Sequence, residues 1–219
     1  MGTLLLIGAD SSIGQNVAKA FIEDEWQVFA IGRHPERFAN GVHFAHAITD
    51  VSDPVSLEQA RDALQNYLQS SGNPPIEVVV YTVGDILARK VTEMSPEEWL
   101  RILNANLTGA FLATRVFAPL FSAEPHLFYV GALTEKLILP GLSAYATAKA
   151  GLEVFAQVLA KENPRWRVTV VRPAAVATRF WERVPFRLPP NALNPEIVAL
   201  RIPEAYYNEQ KGTLDILPG

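Results

Sequence analysis

The 219-residue chain contains no cysteine. Disulfides, thiolate nucleophiles and zinc-thiolate centres are therefore excluded, and a reducing compartment fits. Histidine is scarce: His34, His43, His46 and His126 are the only four, and none has a helical partner at metal-ligand spacing, so no metal is expected. Positive charge is not in excess. Lys and Arg number 19 against 23 Asp and Glu, a formal net charge of −4, and no basic cluster offsets it, so no nucleic-acid partner is expected. No apolar run is long enough to cross a membrane, and no membrane partner is expected. The start, Met1-Gly2-Thr3-Leu4-Leu5-Leu6, lacks the basic residues of a secretory signal and breaks at Gly8-Ala9-Asp10. Leu6 stands where a myristoylation signal needs Ser or Thr. These absences point to a cytoplasmic protein that begins on its first strand. What remains is the composition of an ordinary globule, 49% hydrophobic and of a length for one domain.

Five apolar runs have the length of buried strands: Thr3 to Ile7, Gln27 to Ile31, Ile76 to Tyr81, His126 to Val130 and Arg167 to Val171. A weaker one spans Val42 to Ile48, and a last one Thr213 to Ile216. Helical patterns lie between them. Asp53-Pro54 and Asn194-Pro195 pair a cap with proline in the first turn. Ser95-Pro96-Glu97-Glu98 carries a capping box and opens a long helix. Alternating strands and helices predict a doubly wound parallel sheet of α/β class, with ligands at the carboxyl ends of the strands.

The first strand runs into Gly8-Ala9-Asp10-Ser11-Ser12-Ile13-Gly14 and then a helix, the context that a phosphate-binding loop requires. Free N–H groups and the helix dipole would face the anion. The second strand ends in Gly32-Arg33 rather than in the acid that takes adenosine ribose hydroxyls. Arg33 could pair with a 2′-phosphate, whereas Asp10 could accept from a ribose hydroxyl and repel a phosphate. The helix after Ser95 carries Asn104, Asn106, Thr108 and Gly109 in its middle; Asn and Gly are poor there, and such breaches of local rules gather at functional sites. In Ser143-Ala144-Tyr145-Ala146-Thr147-Ala148-Lys149, Tyr145 and Lys149 lie one helical turn apart on one face. A nearby ammonium would favour the phenolate and lower the tyrosine pKa toward working pH.

In this order and spacing, the motifs resemble those of the short-chain dehydrogenase/reductase family over nearly the whole chain, Thr3 to about Ile216. Gly8 through Gly14 (Gly8, Asp10, Ser11, Ser12, Ile13 and Gly14 among them) resembles its Thr-Gly-x-x-x-Gly-x-Gly loop. Asp50-Val51 matches its adenine-contacting pair, and Thr82-Val83-Gly84 stands where the family has Asn-Ala-Gly. Asn106-Leu107-Thr108-Gly109 matches the segment of the active-site Asn, Tyr145 and Lys149 the catalytic pair. Pro173, Ala174, Val176 and Thr178 lie in the stretch that resembles the one holding the nicotinamide amide. The resemblance implies a Rossmann fold of three αβα layers and hydride exchange between a nicotinamide cofactor and a carbonyl or alcohol. Tyr145 would give the proton. Lys149 would hold the nicotinamide ribose and lower the tyrosine pKa. The carbonyl of Asn106 would anchor a water that relays protons to Lys149. NADP(H) is favoured through Arg33, with NAD(H) the alternative. The long helices after Ser95 and from Ser143 would form a subunit interface, giving a homodimer or homotetramer.

Three departures from the family pattern stand out. Ser12 replaces the middle glycine of the loop, and Ala174 the glycine after Pro173. More consequentially, the catalytic Ser position, thirteen residues before Tyr145, holds Ala132. Thr134 could substitute its hydroxyl, or be an ordinary loop threonine. The region of about 179–212 looks shorter than the family norm, an aromatic flap with Phe180, Trp181 and Phe186 within a single domain of residues 1–219. Two readings follow: a dinucleotide-dependent reductase or dehydrogenase, or a dinucleotide-binding protein with little catalysis, acting through binding or assembly.

Overall fold

The computed structural model describes residues 2–219; Met1, first residue of the apolar start that reads as no signal, lies outside the described residues. The apolar runs form seven parallel strands: β1 (Thr3–Ile7), β2 (Gln27–Gly32), β3 (Phe44–Ala47), β4 (Ile76–Tyr81), β5 (Phe121–Val130), β6 (Arg167–Pro173) and β7 (Gly212–Ile216), in the order β3-β2-β1-β4-β5-β6-β7. Strand residues point alternately to opposite faces, which gives two cores. Leu5, Ile7, Phe29, Ile31 and Tyr81 face one; Leu4, Leu6, Val28, Ala30 and Val80 face the other. Helices α2 (Pro54–Ser71), α4 (Gly109–Phe117) and α5 (Ser143–Glu162) cover the first through Leu64, Phe117 and Leu152. Helices α1 (Ser12–Glu23) and α6 (Pro195–Tyr207) cover the second through Phe21 and Ile202. Both faces are sealed, and for that reason the strands read as continuous apolar runs. The result is the expected doubly wound Rossmann architecture in three αβα layers.

The strand order reverses between β1 and β4, whose registers align Ile7 with Tyr81. This switch point lies at the carboxyl ends of the two strands, where doubly wound sheets bind ligands, and there Thr82 Oγ1 donates to the Gly8 carbonyl at 2.8 Å.

Three boundaries differ from expectation. β3 is only Phe44–Ala47, because it is an edge strand paired to β2 alone. β5 begins at Phe121 rather than His126, and Phe121 pairs with Ile76 across a register shift. The helix after Ser95 is not continuous: α3 (Pro96–Leu103) passes through a five-residue π-helical turn, Asn104–Thr108, into α4. The caps behave as read. Ser95 Oγ accepts from Glu98 N at 3.2 Å while Glu98 Oε2 accepts from Ser95 N at 3.0 Å, and Asn194 Oδ1 accepts from Glu196 N at 3.0 Å.

Candidate active site

The turn after β1 is built around Gly8, at φ +89°, a left-handed conformation suited to glycine. A Cβ on Gly8 would lie 2.7 Å from Thr82 Oγ1 and 2.8 Å from Val83 N; one on Gly14 would strike the Gly8 carbonyl. The loop is braced from within. Ser11 Oγ accepts from Gly14 N at 2.9 Å and donates to Thr82 Oγ1 at 3.1 Å, and Thr82 Oγ1 donates to the Gly8 carbonyl at 2.8 Å. Ser12 and Ile13 occupy the first turn of α1, whose N–H groups have no partner within the helix. Neither Ser12 nor Ala174 has a positive φ, so both depart from glycine without backbone strain.

The π-helical turn places Asn106 at the carboxyl end of β4. It is fully buried, and its Nδ2 donates to the carbonyls of Asp85, at 2.7 Å, and Ile102, at 2.9 Å. Its Oδ1 is buried without a partner. An unpaired buried acceptor costs about 1–3 kcal/mol, and π-turns recur at functional positions. Tyr81 Oη supports the turn by donating to the Ala105 carbonyl at 2.7 Å.

Tyr145 and Lys149 lie on the inner face of α5, 8% and 3% exposed. Lys149 Nζ donates to the Val130 carbonyl at the end of β5, at 2.8 Å, and lies 5.7 Å from the centre of the Tyr145 ring. Phe180, from a short 3-10 turn at Arg179–Arg183, meets the Tyr145 ring edge to face at 6.5 Å. Burial controls both ionisations: it pushes the Tyr145 phenol well above its ordinary value and lowers the Lys149 ammonium to about 8. The phenol is thus raised by burial, against the expected lowering by Lys149.

Comparison with known proteins bears on this arrangement. The family model of the short chain dehydrogenases matches residues 2–186. The chain belongs to that family. An oxidoreductase of Botryotinia fuckeliana, BOA17, is 27% identical over 184 residues, 79% of this chain and 65% of that protein. The chain therefore spans under two-thirds of that relative's length. Two solved structures share the fold: an alcohol dehydrogenase from Thermococcus sibiricus complexed with 5-hydroxy-NADP, and a 3-ketoacyl-(acyl-carrier-protein) reductase from Brucella melitensis complexed with NADH. The first has a TM-score of 0.84 at 22% identity, covering 99% of this chain and 95% of that one. The second has 0.85 at 22%, covering 100% and 97%.

The remaining sequence-predicted positions are placed as follows. Thr82, Val83 and Gly84 follow β4 at the switch point, and Pro173 ends β6. Ala174 N donates to the Ile216 carbonyl at 2.9 Å, Val176 bridges to Leu193, and Thr178 caps the turn that holds Phe180. Val51 is buried. Asp50 is exposed, and its Oδ1 accepts from Ser52 N at 2.7 Å and Ser52 Oγ at 2.6 Å. Arg33 is exposed at the end of β2. Ala132 is buried. Thr134 opens a separate 3-10 turn, Thr134–Lys136, and its hydroxyl bonds to none of the described residues. An apolar cleft of about 420 Å³, lined by Val91, Ile138, Leu139, Ala146 and Thr147, flanks α5, and Tyr145 does not line it.

Sequence reasoning missed Asp85. Its carbonyl holds Asn106. Its carboxylate accepts from Arg183 Nη1 of the flap at 2.8 Å and lies 3.3 Å from Arg101 Nη1 of α3. An acid directly after Gly84 was visible, but partners as far as 98 residues away were not.

Proposed function

We propose that the chain is a single dinucleotide-binding domain, residues 1–219 with a flap at about 179–212, that moves a hydride between a nicotinamide cofactor and a carbonyl or alcohol. The observation that carries this reading is the burial of Tyr145 and Lys149 beside the Asn106 turn, at the strand ends next to the Gly8–Gly14 cradle. A Cβ on Gly8 or Gly14 would strike the loop's own neighbours, so these glycines let the loop close tightly at the start of α1, whose free N–H groups suit a pyrophosphate; Asn106 Oδ1, unpartnered among the described residues, adds a buried acceptor, and the residues fit such a cofactor. The cofactor, when bound, supplies or accepts the hydride. The protein's part is positional. Gly8 through Gly14 would hold the phosphates, and Val51, Asp50, Val83 and Gly84 would flank the adenosine half. Pro173 to Thr178 would hold the nicotinamide end. Tyr145 Oη, kept protonated by burial, would donate to the substrate oxygen during reduction, and Lys149 would orient the ribose and resupply the proton. Arg33 supports NADP(H) at the 2′ position and Asp10 opposes it. Apolar side chains left exposed on α3, α4 and α5 support a homodimer.

Ala132 favours a second reading, a dinucleotide-binding protein with little catalysis, since a missing oxyanion donor costs about 2.7–4 kcal/mol where measured. NADH and NADPH consumption against a panel of ketones, aldehydes and quinones separates the two. Turnover by the wild type is expected, with Ala132→Ser raising kcat/KM about tenfold, or about 1.4 kcal/mol. Thr134→Val should cost a similar factor only if that hydroxyl has taken over. Cofactor binding without turnover in wild type and Ala132→Ser alike would support the second reading.

A further inference from the structure

We infer that Asp10 selects the cofactor at the adenosine ribose, in favour of the dinucleotide without a 2′-phosphate; this rests on the dinucleotide reading above. In folds of this kind, a carboxylate beyond the second strand takes the ribose hydroxyls. Here β2 ends in Gly32, which is buried, and Arg33, which is exposed. A Cβ on Gly32 would collide with Oδ1 of Asp10 and lie 3.0 Å from Phe38 Cε1. The Asp10 carboxylate therefore occupies the space over the end of β2 where a side chain of β2 itself would begin. The acid has been moved from the strand to the glycine loop, and Gly32 is the residue that makes room for it. Two anomalies, a missing acid and an extra one, become one arrangement.

The carboxylate is available. The backbone carbonyl of Asp10 accepts from Gln15 Nε2 at 3.3 Å, but its side chain makes no hydrogen bond or ion pair with the described residues. Ser11, the N-cap of α1, follows directly, so the positive end of that helix favours a negative charge here. An ionised carboxylate only accepts hydrogen bonds. It suits two ribose hydroxyls, and it repels a phosphate placed on either of them. Arg33 acts from a weaker position. It is exposed, forms no ion pair among the described residues, and must order a long side chain in screening solvent to hold a phosphate.

The test is fluorescence titration of the full chain with NADH and NADPH, and calorimetric titration with AMP and adenosine 2′,5′-bisphosphate. The wild type is expected to bind NADH at least about tenfold more tightly than NADPH, and AMP more tightly than the bisphosphate. Asp10→Ser should weaken NADH and strengthen NADPH until they differ by less than about threefold, and Arg33→Ala in that background should then weaken NADPH alone. The wild-type ratio needs no variant, so it decides even if Asp10→Ser folds poorly. Tighter binding of NADPH than NADH by the wild type, or a ratio unmoved in a folded Asp10→Ser, overturns the inference and leaves the dinucleotide reading standing. Binding of neither cofactor overturns both.

Discussion

Lys149 is 3% exposed, and an ammonium in such a place is held at an energetic cost. Its pKa falls from 10.5 to about 8, which corresponds to a cost of about 3 kcal/mol to the folded state when the group is charged. The sign follows from proton binding. Between about pH 8 and 10.5 the unfolded chain holds the proton and the folded chain does not, so stability from this group rises with pH across that window. Below pH 8 the whole cost is present. Lys149→Met is therefore expected to stabilise the fold at pH 7 by about 2 kcal/mol, after about 1 kcal/mol for the lost bond to the Val130 carbonyl. The advantage should shrink by pH 9.5, and cofactor turnover should be lost. Urea unfolding at the two pH values measures it; a less stable variant at pH 7, or a difference indifferent to pH, would contradict this account.

At the scale of elements, the start of the flap, the 3-10 turn Arg179–Arg183, is joined to the site through side chains, whereas α6 further along belongs to the core. Phe180 rests on Tyr145, Trp181 Nε1 donates to the Val176 carbonyl at 2.8 Å, and Arg183 reaches Asp85. Asp85 is 15% exposed but Arg183 is 55%, so the pair contributes no more than about 1 kcal/mol to flap seating. Arg183→Gln should raise hydrogen exchange across residues 179–183 by up to about fivefold, with a change in melting temperature below about 4 °C. High salt should do the same to the wild type, and equal exchange in both proteins would show that the flap is held by its aromatics alone. This flap was only partly legible in the sequence. The buried strands could be read because both faces are covered, and the caps at Ser95 and Asn194 because they are local. β3 was overextended because an edge strand stops where its single partner stops. The π-turn shows in the sequence only as poor helix residues, Asn104, Asn106 and Gly109, since the bonds that hold it, from Asn106 to Asp85 and from Tyr81 to Ala105, are tertiary. The Asp85 contacts and the seat of Asp10 over Gly32 depend on chain segments brought together by the fold, and no local pattern encodes them.

At the scale of the whole molecule, large apolar side chains remain exposed on neighbouring helices: Leu100 on α3, Phe111 on α4, and Val154 and Val158 on α5, each 45–59% exposed. Apolar side chains exposed on neighbouring helices are what an association surface requires, and a two-fold pair of such faces closes on itself. A dimer is expected by light scattering at micromolar concentration, and Val158→Asp with Phe111→Asp should yield monomers. A wild-type monomer would contradict it. In the proposed reaction Tyr145 moves the proton of a hydride transfer while the glycine loop and its surroundings bind the cofactor. One measurement addresses it directly: kcat with the best carbonyl substrate and Kd for the preferred cofactor, compared between wild type and Tyr145→Phe. Loss of turnover by at least about a hundredfold is predicted, with Kd changed less than about threefold. Undiminished turnover in Tyr145→Phe would contradict the account.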